Sequence, residues 1–166
     1  QVIGVKPGSR DPMNEQPAEP IDIHIPLLSW FDSHQRDLPW RRTRDPYAIW
    51  ISEIMLQQTT VESVIPIYER FMEFFPTVDV LAVANPTDVL HAWAGLGYYK
   101  RARYLREAAI EIVNRFGSRI PDNLSDLQSL PGIGRYTAGA IASIAFDQCV
   151  PVVDTNVARV VSRLFA

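Results

Sequence analysis

Two acidic residues stand where proton chemistry beside a phosphate could be done. Asp154 ends the apolar run Val150-Pro151-Val152-Val153, which follows the turn Leu130-Pro131-Gly132-Ile133-Gly134 and the segment it opens at Arg135-Tyr136-Thr137. Pro131 cannot continue a helix, and Gly132 and Gly134 reach backbone angles that other residues resist and let another molecule come close. A helix opening from such a turn aims its free N–H groups outward at the positive end of its dipole, which makes a phosphate site. An acid next to that turn points to chemistry on a nucleic acid. The alternative for Asp154 is a plain N-cap of the helix that starts at Thr155 and Asn156, and a helix N-terminus in either case favours the charged carboxylate.

Glu53 is the second acid. In Asp45-Pro46-Tyr47-Ala48-Ile49-Trp50-Ile51-Ser52-Glu53-Ile54-Met55-Leu56, Asp45 and Pro46 read as a helix start. On that helix Glu53 shares a face with Ile49, Trp50 and Leu56. A carboxyl in apolar company loses hydration, so its pKa rises and it keeps a proton near neutral pH, as a general acid must. The alternative is a boundary glutamate paired with an arginine. Gln57-Gln58-Thr59 closes the helix and reads as a solvated end. Gly95-Leu96-Gly97-Tyr98-Tyr99-Lys100-Arg101-Ala102-Arg103 combines a permissive backbone, rings that can stack on bases and cations that can meet phosphates, although half-buried packing would also account for the tyrosines.

The elements that must position these groups read as helices throughout. Ile23 to Arg36 fits one helix with Leu27, Leu28, Trp30 and Phe31 as its apolar set, ended by Leu38-Pro39-Trp40-Arg41. Val61, Val64, Tyr68, Phe71 and Phe75 step by three and four, and Pro66 is expected to kink or divide that helix. Asn85-Pro86-Thr87-Asp88 caps a short helix, the segment with Leu105, Ala109, Ile112 and Phe116 inward stops at Gly117, and Pro121 to Ser129 gives one more. No strand-like alternation occurs, so the fold class is all-α.

At 166 residues, 47% hydrophobic and 21% charged, the chain suits one globular domain with a sizeable core. No apolar run reaches membrane-span length and no secretory signal is recognisable, so a cytosolic or nuclear protein is expected. Residues 1–22, with four prolines and few apolar groups, are expected to be disordered, and Met13 is a candidate native start. The net charge of −3 owes much to that segment. Local clusters, Arg41/Arg42/Arg44 and Lys100/Arg101/Arg103/Arg106, decide phosphate binding instead. The single cysteine, Cys149, excludes an internal disulfide and any multi-cysteine metal site built by these residues, and is expected to be buried.

The hairpin LPGIGRYTAG, VVDTNVARV, GLGYY and SEIMLQQT together resemble the helix-hairpin-helix DNA glycosylases of the endonuclease III superfamily, in particular the adenine-specific branch. The resemblance covers residues 23–166. It implies a base-excision-repair enzyme that hydrolyses the N-glycosidic bond of adenine mispaired with 8-oxoguanine or guanine, a monomer on double-stranded DNA, in a bacterial cytoplasm or a eukaryotic nucleus. It gives Glu53, Asp154, Tyr136 and Asn156 catalytic roles and places Arg41, Gln58, Tyr98, Gly132, Gly134 and Arg135 on the DNA. Bifunctional endonuclease III-type enzymes carry a lysine where Tyr136 stands, so a monofunctional enzyme is implied. The resemblance also implies a [4Fe-4S] cluster whose four cysteines are absent here. The fold expected is therefore a helix-hairpin-helix glycosylase lacking the C-terminal part of its catalytic region, without its cluster loop and lesion-recognition domain. The alternatives are a same-fold glycosylase for thymine in G·T mismatches or for oxidised pyrimidines, and an inactive DNA-binding fragment.

Overall fold

The computed structural model describes residues 23–165, so the disorder expected of residues 1–22 lies outside it. The described residues are helical, without a strand, and the chain divides into two compact units after Gln35. The described part of the first is α1 (His24–His34), where the Trp30 and His34 rings stack at 4.9 Å and His34 Nδ1 meets the Trp30 carbonyl at 2.9 Å. Ile25, Leu27, Leu28 and Trp30 on it are exposed.

The second unit holds a short 3-10 turn (Pro39–Arg41) and eight helices: α2 (Pro46–Leu56), α3 (Val61–Phe74), α4 (Val78–Val83), α5 (Pro86–Ala92), α6 (Lys100–Phe116), α7 (Leu124–Ser129), α8 (Arg135–Phe146) and α9 (Thr155–Leu164). Asp45 starts α2 by accepting from the Tyr47 N–H at 3.1 Å, with Pro46 at the first helical position. The helix is apolar on nearly every side and is accordingly buried among α3, α6 and α8. Trp50, Ile51 and Met55 of α2 form the core with Phe71, Trp93, Leu105, Ile112 and Ile141. Each such side chain contributes roughly 1.5–3 kcal/mol by leaving water. Glu53 is the one charged residue in this rod.

Three local outcomes differ from expectation. Of the two outcomes expected at Pro66, division does not occur: α3 runs on from Val61 to Phe74 with Pro66 on its exposed side, where the carbonyl it leaves unbonded can reach water. The Val78–Val83 helix was not anticipated; six residues carry no periodicity, and only its Thr77 cap announces it. Cys149 is exposed rather than buried; it stands in the loop that leaves α8 through Asp147, the left-handed C-cap (φ 53°).

Small residues on α8 matter for where Asp154 arrives. A Cβ on Gly139 would stand 3.0 Å from the Pro151 carbonyl oxygen, so the segment leading to Asp154 crosses α8 at this glycine. Ala138, Ala140 and Ala142 beside it are buried.

Candidate active site

A cleft of about 960 Å³ opens where the C-terminal turn of α2, the loop before α6, the 130–134 hairpin and the start of α9 converge. Glu53, Gln58, Tyr98, Gly132, Tyr136, Asp154 and Asn156 all line it. Gly134 and Arg135 lie outside this lining although they belong to the same hairpin. Arg41 lies outside it too, exposed, with its guanidinium donating to the Arg36 carbonyl at 3.2 Å.

The two carboxyls of the cleft differ in character. Burial in the wall of α2 raises the pKa of Glu53, and the Tyr136 hydroxyl, hydrogen-bonded to it, opposes part of that rise. Asp154 is pulled the other way. Its Oδ1 accepts from the Val157 N–H at 2.7 Å, which is the largest cause, and its Oδ2 accepts from Asn156 Nδ2 at 3.1 Å, so its pKa falls below the usual aspartate range. Asp154 is therefore the N-cap of α9 and a wall of the cleft at once. Tyr136 feels both acids: burial first, then Glu53 and Asp154, push its phenol up to about 12. One carboxyl whose pKa is raised and one whose pKa is lowered thus line a single cleft together with Tyr136.

The rest of the cleft suits a phosphate polymer. Gly132 has φ 74°, and a Cβ there would meet Tyr104 Cβ at 2.8 Å, so both conformation and space demand glycine. Gly134 is the N-cap of α8 and offers no side-chain acceptor, whereas Asp45, Thr60, Thr77, Asn85, Asn123 and Asp154 cap their helices. The first-turn N–H groups of α8 therefore remain for an outside acceptor. Gln58 (φ 56°) and Tyr98 (φ 46°), both exposed, hold left-handed backbone conformations on this cleft. For non-glycine residues such conformations are uncommon and concentrate at functional sites.

Sequence spacing leaves several contributors unassigned. Arg101 and Arg106, grouped with the phosphate-binding cations, turn inward: Arg106 Nε donates to the Ala84 carbonyl at 2.7 Å, and Arg101 donates to carbonyls around the end of α2. The signal was present, since Arg101 shares the helical face of Leu105, Ala108 and Ile112, all buried. Gln57 Nε2 donates to the buried Thr137 Oγ1 at 3.3 Å and ties α2 to α8, a tertiary pairing that no local pattern announces.

Among the described residues, no group of three or more His, Cys, Asp and Glu is placed to hold a metal ion. A four-thiolate cluster does not fit a chain with one cysteine. No helix of the described residues is long and apolar enough to cross a membrane.

Comparison with known proteins gives a consistent picture. The family described as HhH-GPD superfamily base excision DNA repair protein matches residues 51–166. Adenine DNA glycosylases of Rattus norvegicus and Homo sapiens are each 52% identical over 149 residues, covering 84% of this chain and 29% and 27% of their own lengths. That of Mycolicibacterium smegmatis is 49% identical over 140 residues, 84% of this chain and 48% of its own. The chain thus spans between about a quarter and a half of these relatives. Among solved structures, a thermostable thymine-DNA glycosylase superposes with TM-score 0.77 at 34% identity, over 81% of this chain and 63% of that one. Endonuclease III in a non-covalent DNA complex shares the fold, with TM-score 0.72 at 24% identity, over 82% of this chain and 63% of that one.

Proposed function

The chain belongs to the HhH-GPD superfamily of base excision DNA repair proteins, and from that premise we propose that its cleft is the active site of a monofunctional adenine DNA glycosylase acting on adenine opposite 8-oxoguanine or guanine. The observation that carries the reading is the pair Glu53 and Asp154, two carboxyls on one cleft whose surroundings push their pKa values in opposite directions, the first up and the second down. The naming of these curated relatives as adenine DNA glycosylases supports the choice of base.

The reaction asks for one protonated and one charged carboxyl. Glu53 gives its proton to adenine, at N7. The C1′–N9 bond then breaks with its electron pair going to the departing purine, and the sugar is left with oxocarbenium character. The charged Asp154 faces that cation, water adds at C1′, and the water's proton passes to a carboxylate, leaving an abasic site. Asn156 holds the Asp154 carboxylate in place. Tyr136 has no amine with which to form a Schiff base, so the strand stays intact. The target nucleotide must leave the stack, at a cost of a few kcal/mol. Gln58 and Tyr98 enter the space it vacates, and the N–H groups of Gly132, Gly134 and Arg135 hold the backbone. Arg41 contacts the DNA from outside the cleft. The protein works as a monomer, in whichever compartment holds its genome.

The test is a duplex with adenine opposite 8-oxoguanine. The protein releases adenine, and strands break only after alkali. A second reading, thymine release from G·T, draws on the likeness to the thymine-DNA glycosylase; faster loss of thymine than of adenine would establish it instead. Binding without release on both duplexes would reduce the protein to a DNA-binding module.

Tyr136→Phe probes the coupling inside the cleft. The hydroxyl lowers the pKa of Glu53, so its removal lets that pKa climb further. The alkaline limb of the single-turnover pH profile therefore moves to higher pH. A limb that stays put, or moves down, refutes the coupling.

A further inference from the structure

Resting on the reading above, we propose that Arg101 is a positioning residue that clasps the two loops carrying Gln58 and Tyr98 into one unit, so that both enter the duplex together. Its Nη1 donates to the carbonyls of Ile54, Met55 and Gln57 at 2.8, 3.1 and 2.5 Å, where α2 has run out of its own donors. Its Nη2 donates to Thr59 Oγ1 at 3.3 Å and to the carbonyls of Leu96 and Gly97 at 3.2 and 3.5 Å. One guanidinium thereby touches the residues on both sides of Gln58 and the two residues before Tyr98. Its face completes the clasp, with Cζ 5.3 Å from the Trp93 ring centroid and 5.5 Å from that of Tyr98. Trp93 Nε1 donates to the same Gly97 carbonyl at 3.0 Å.

The chemistry of the partners explains why the residue is an arginine. Every acceptor is a neutral carbonyl or hydroxyl, and no ion pair among the described residues involves Arg101. What favours the cation is the negative end of the α2 dipole and a flat fork that can serve carbonyls from two loops at once. Lysine keeps the charge but has three donors on one nitrogen, which cannot span both loops. The clasp also answers a problem set by the backbone. Tyr98 and Gln58, neither of them glycine, lie at φ 46° and 56°. Such conformations in non-glycine residues persist where neighbours over-determine them, and Arg101 holds the backbone next to both.

The clasp is tested first without DNA, by amide exchange. Arg101→Met and Arg101→Lys should speed exchange at residues 57–59 and at 96–98 together, at least about tenfold, and leave α8 unchanged. Loosening of one loop alone, or of neither, overturns the proposal. Should both variants fail to fold, the wild-type chain decides. In native-state exchange across a urea series, the two loops should open with one free energy and one urea dependence, and separate openings overturn the clasp. The second readout is function on the duplex with adenine opposite 8-oxoguanine. The variants extrude and release adenine about 10²-fold more slowly, a cost typical of small misplacement. The pH limbs governed by Glu53 and Asp154 stay where they are, which a general loss of structure would not spare. If wild type releases no base, the glycosylase reading fails and the exchange result still judges the clasp. If wild type releases adenine and the Arg101 variants match its rate, the clasp fails and the glycosylase reading stands.

Discussion

Glu53→Gln binds a duplex with adenine opposite 8-oxoguanine as its parent does and releases adenine about 10²–10⁴-fold more slowly. The amide matches the carboxyl in size and still meets the Tyr136 hydroxyl, so the wall of the cleft is preserved while the transferable proton is gone. Stability moves in the opposite direction. Burial raises the folded pKa of Glu53 above its unfolded value. As pH rises through the ordinary glutamate range the unfolded chain ionises first, and the folded chain bears the cost of charging a buried acid at higher pH. The glutamine variant carries no such cost. Its melting temperature therefore exceeds that of wild type at neutral pH, and the two converge at pH values below the ordinary glutamate pKa. Activity measured by single-turnover release and melting followed by circular dichroism check the two halves separately. Retained release would remove Glu53 from the chemistry.

Asp154→Asn separates charge from capping. Asparagine caps a helix about as well as aspartate, so α9 keeps its start and the fold changes little. What is lost is the negative charge opposite the sugar cation, and adenine release falls about 10²–10³-fold, as for other removed electrostatic partners of a transition state. In wild type the carboxylate is held charged by the Val157 N–H and Asn156. The acidic limb of the rate profile therefore lies below the usual aspartate range, and the alkaline limb, set by Glu53, above the usual glutamate range. Asp154→Asn abolishes the acidic limb and leaves the alkaline one. The stability that the capped carboxylate gives is present above the unfolded aspartate pKa and disappears as pH falls through the lowered one. An asparagine variant with wild-type release would leave Asp154 as a cap and nothing more.

How much of this was legible before the structure depends on whether the cause was local. The start of α2 was written in Asp45-Pro46 and the end of α6 in Gly117, whose φ of 58° serves as the C-cap. The hairpin declared itself through Pro131, which cannot continue a helix, and Gly132, whose φ of 74° favours glycine, whereas Gly134 is extended with open space around it and did not need to be glycine. Opposite protonation tendencies for Glu53 and Asp154 also followed from neighbours in sequence, apolar ones for the first and a helix start for the second. What could not be read were pairings across the fold. Gln57 with Thr137, Tyr104 against Gly132 and Arg101 among six acceptors all depend on how helices meet. The exposure of Cys149 depends on the path of the loop after α8, which no local pattern specifies.

The two acids are mounted very differently. Glu53 rides on a helix enclosed by the core, whereas Asp154 begins a helix with no buried residue among those described. Rigidity is thus concentrated under the proton donor, and the partner carboxylate caps a helix that buries none of its described residues. Warming should accordingly unseat the second carboxylate while the interior is still intact, so that the capacity to cut a glycosidic bond fades at a lower temperature than the fold that houses it.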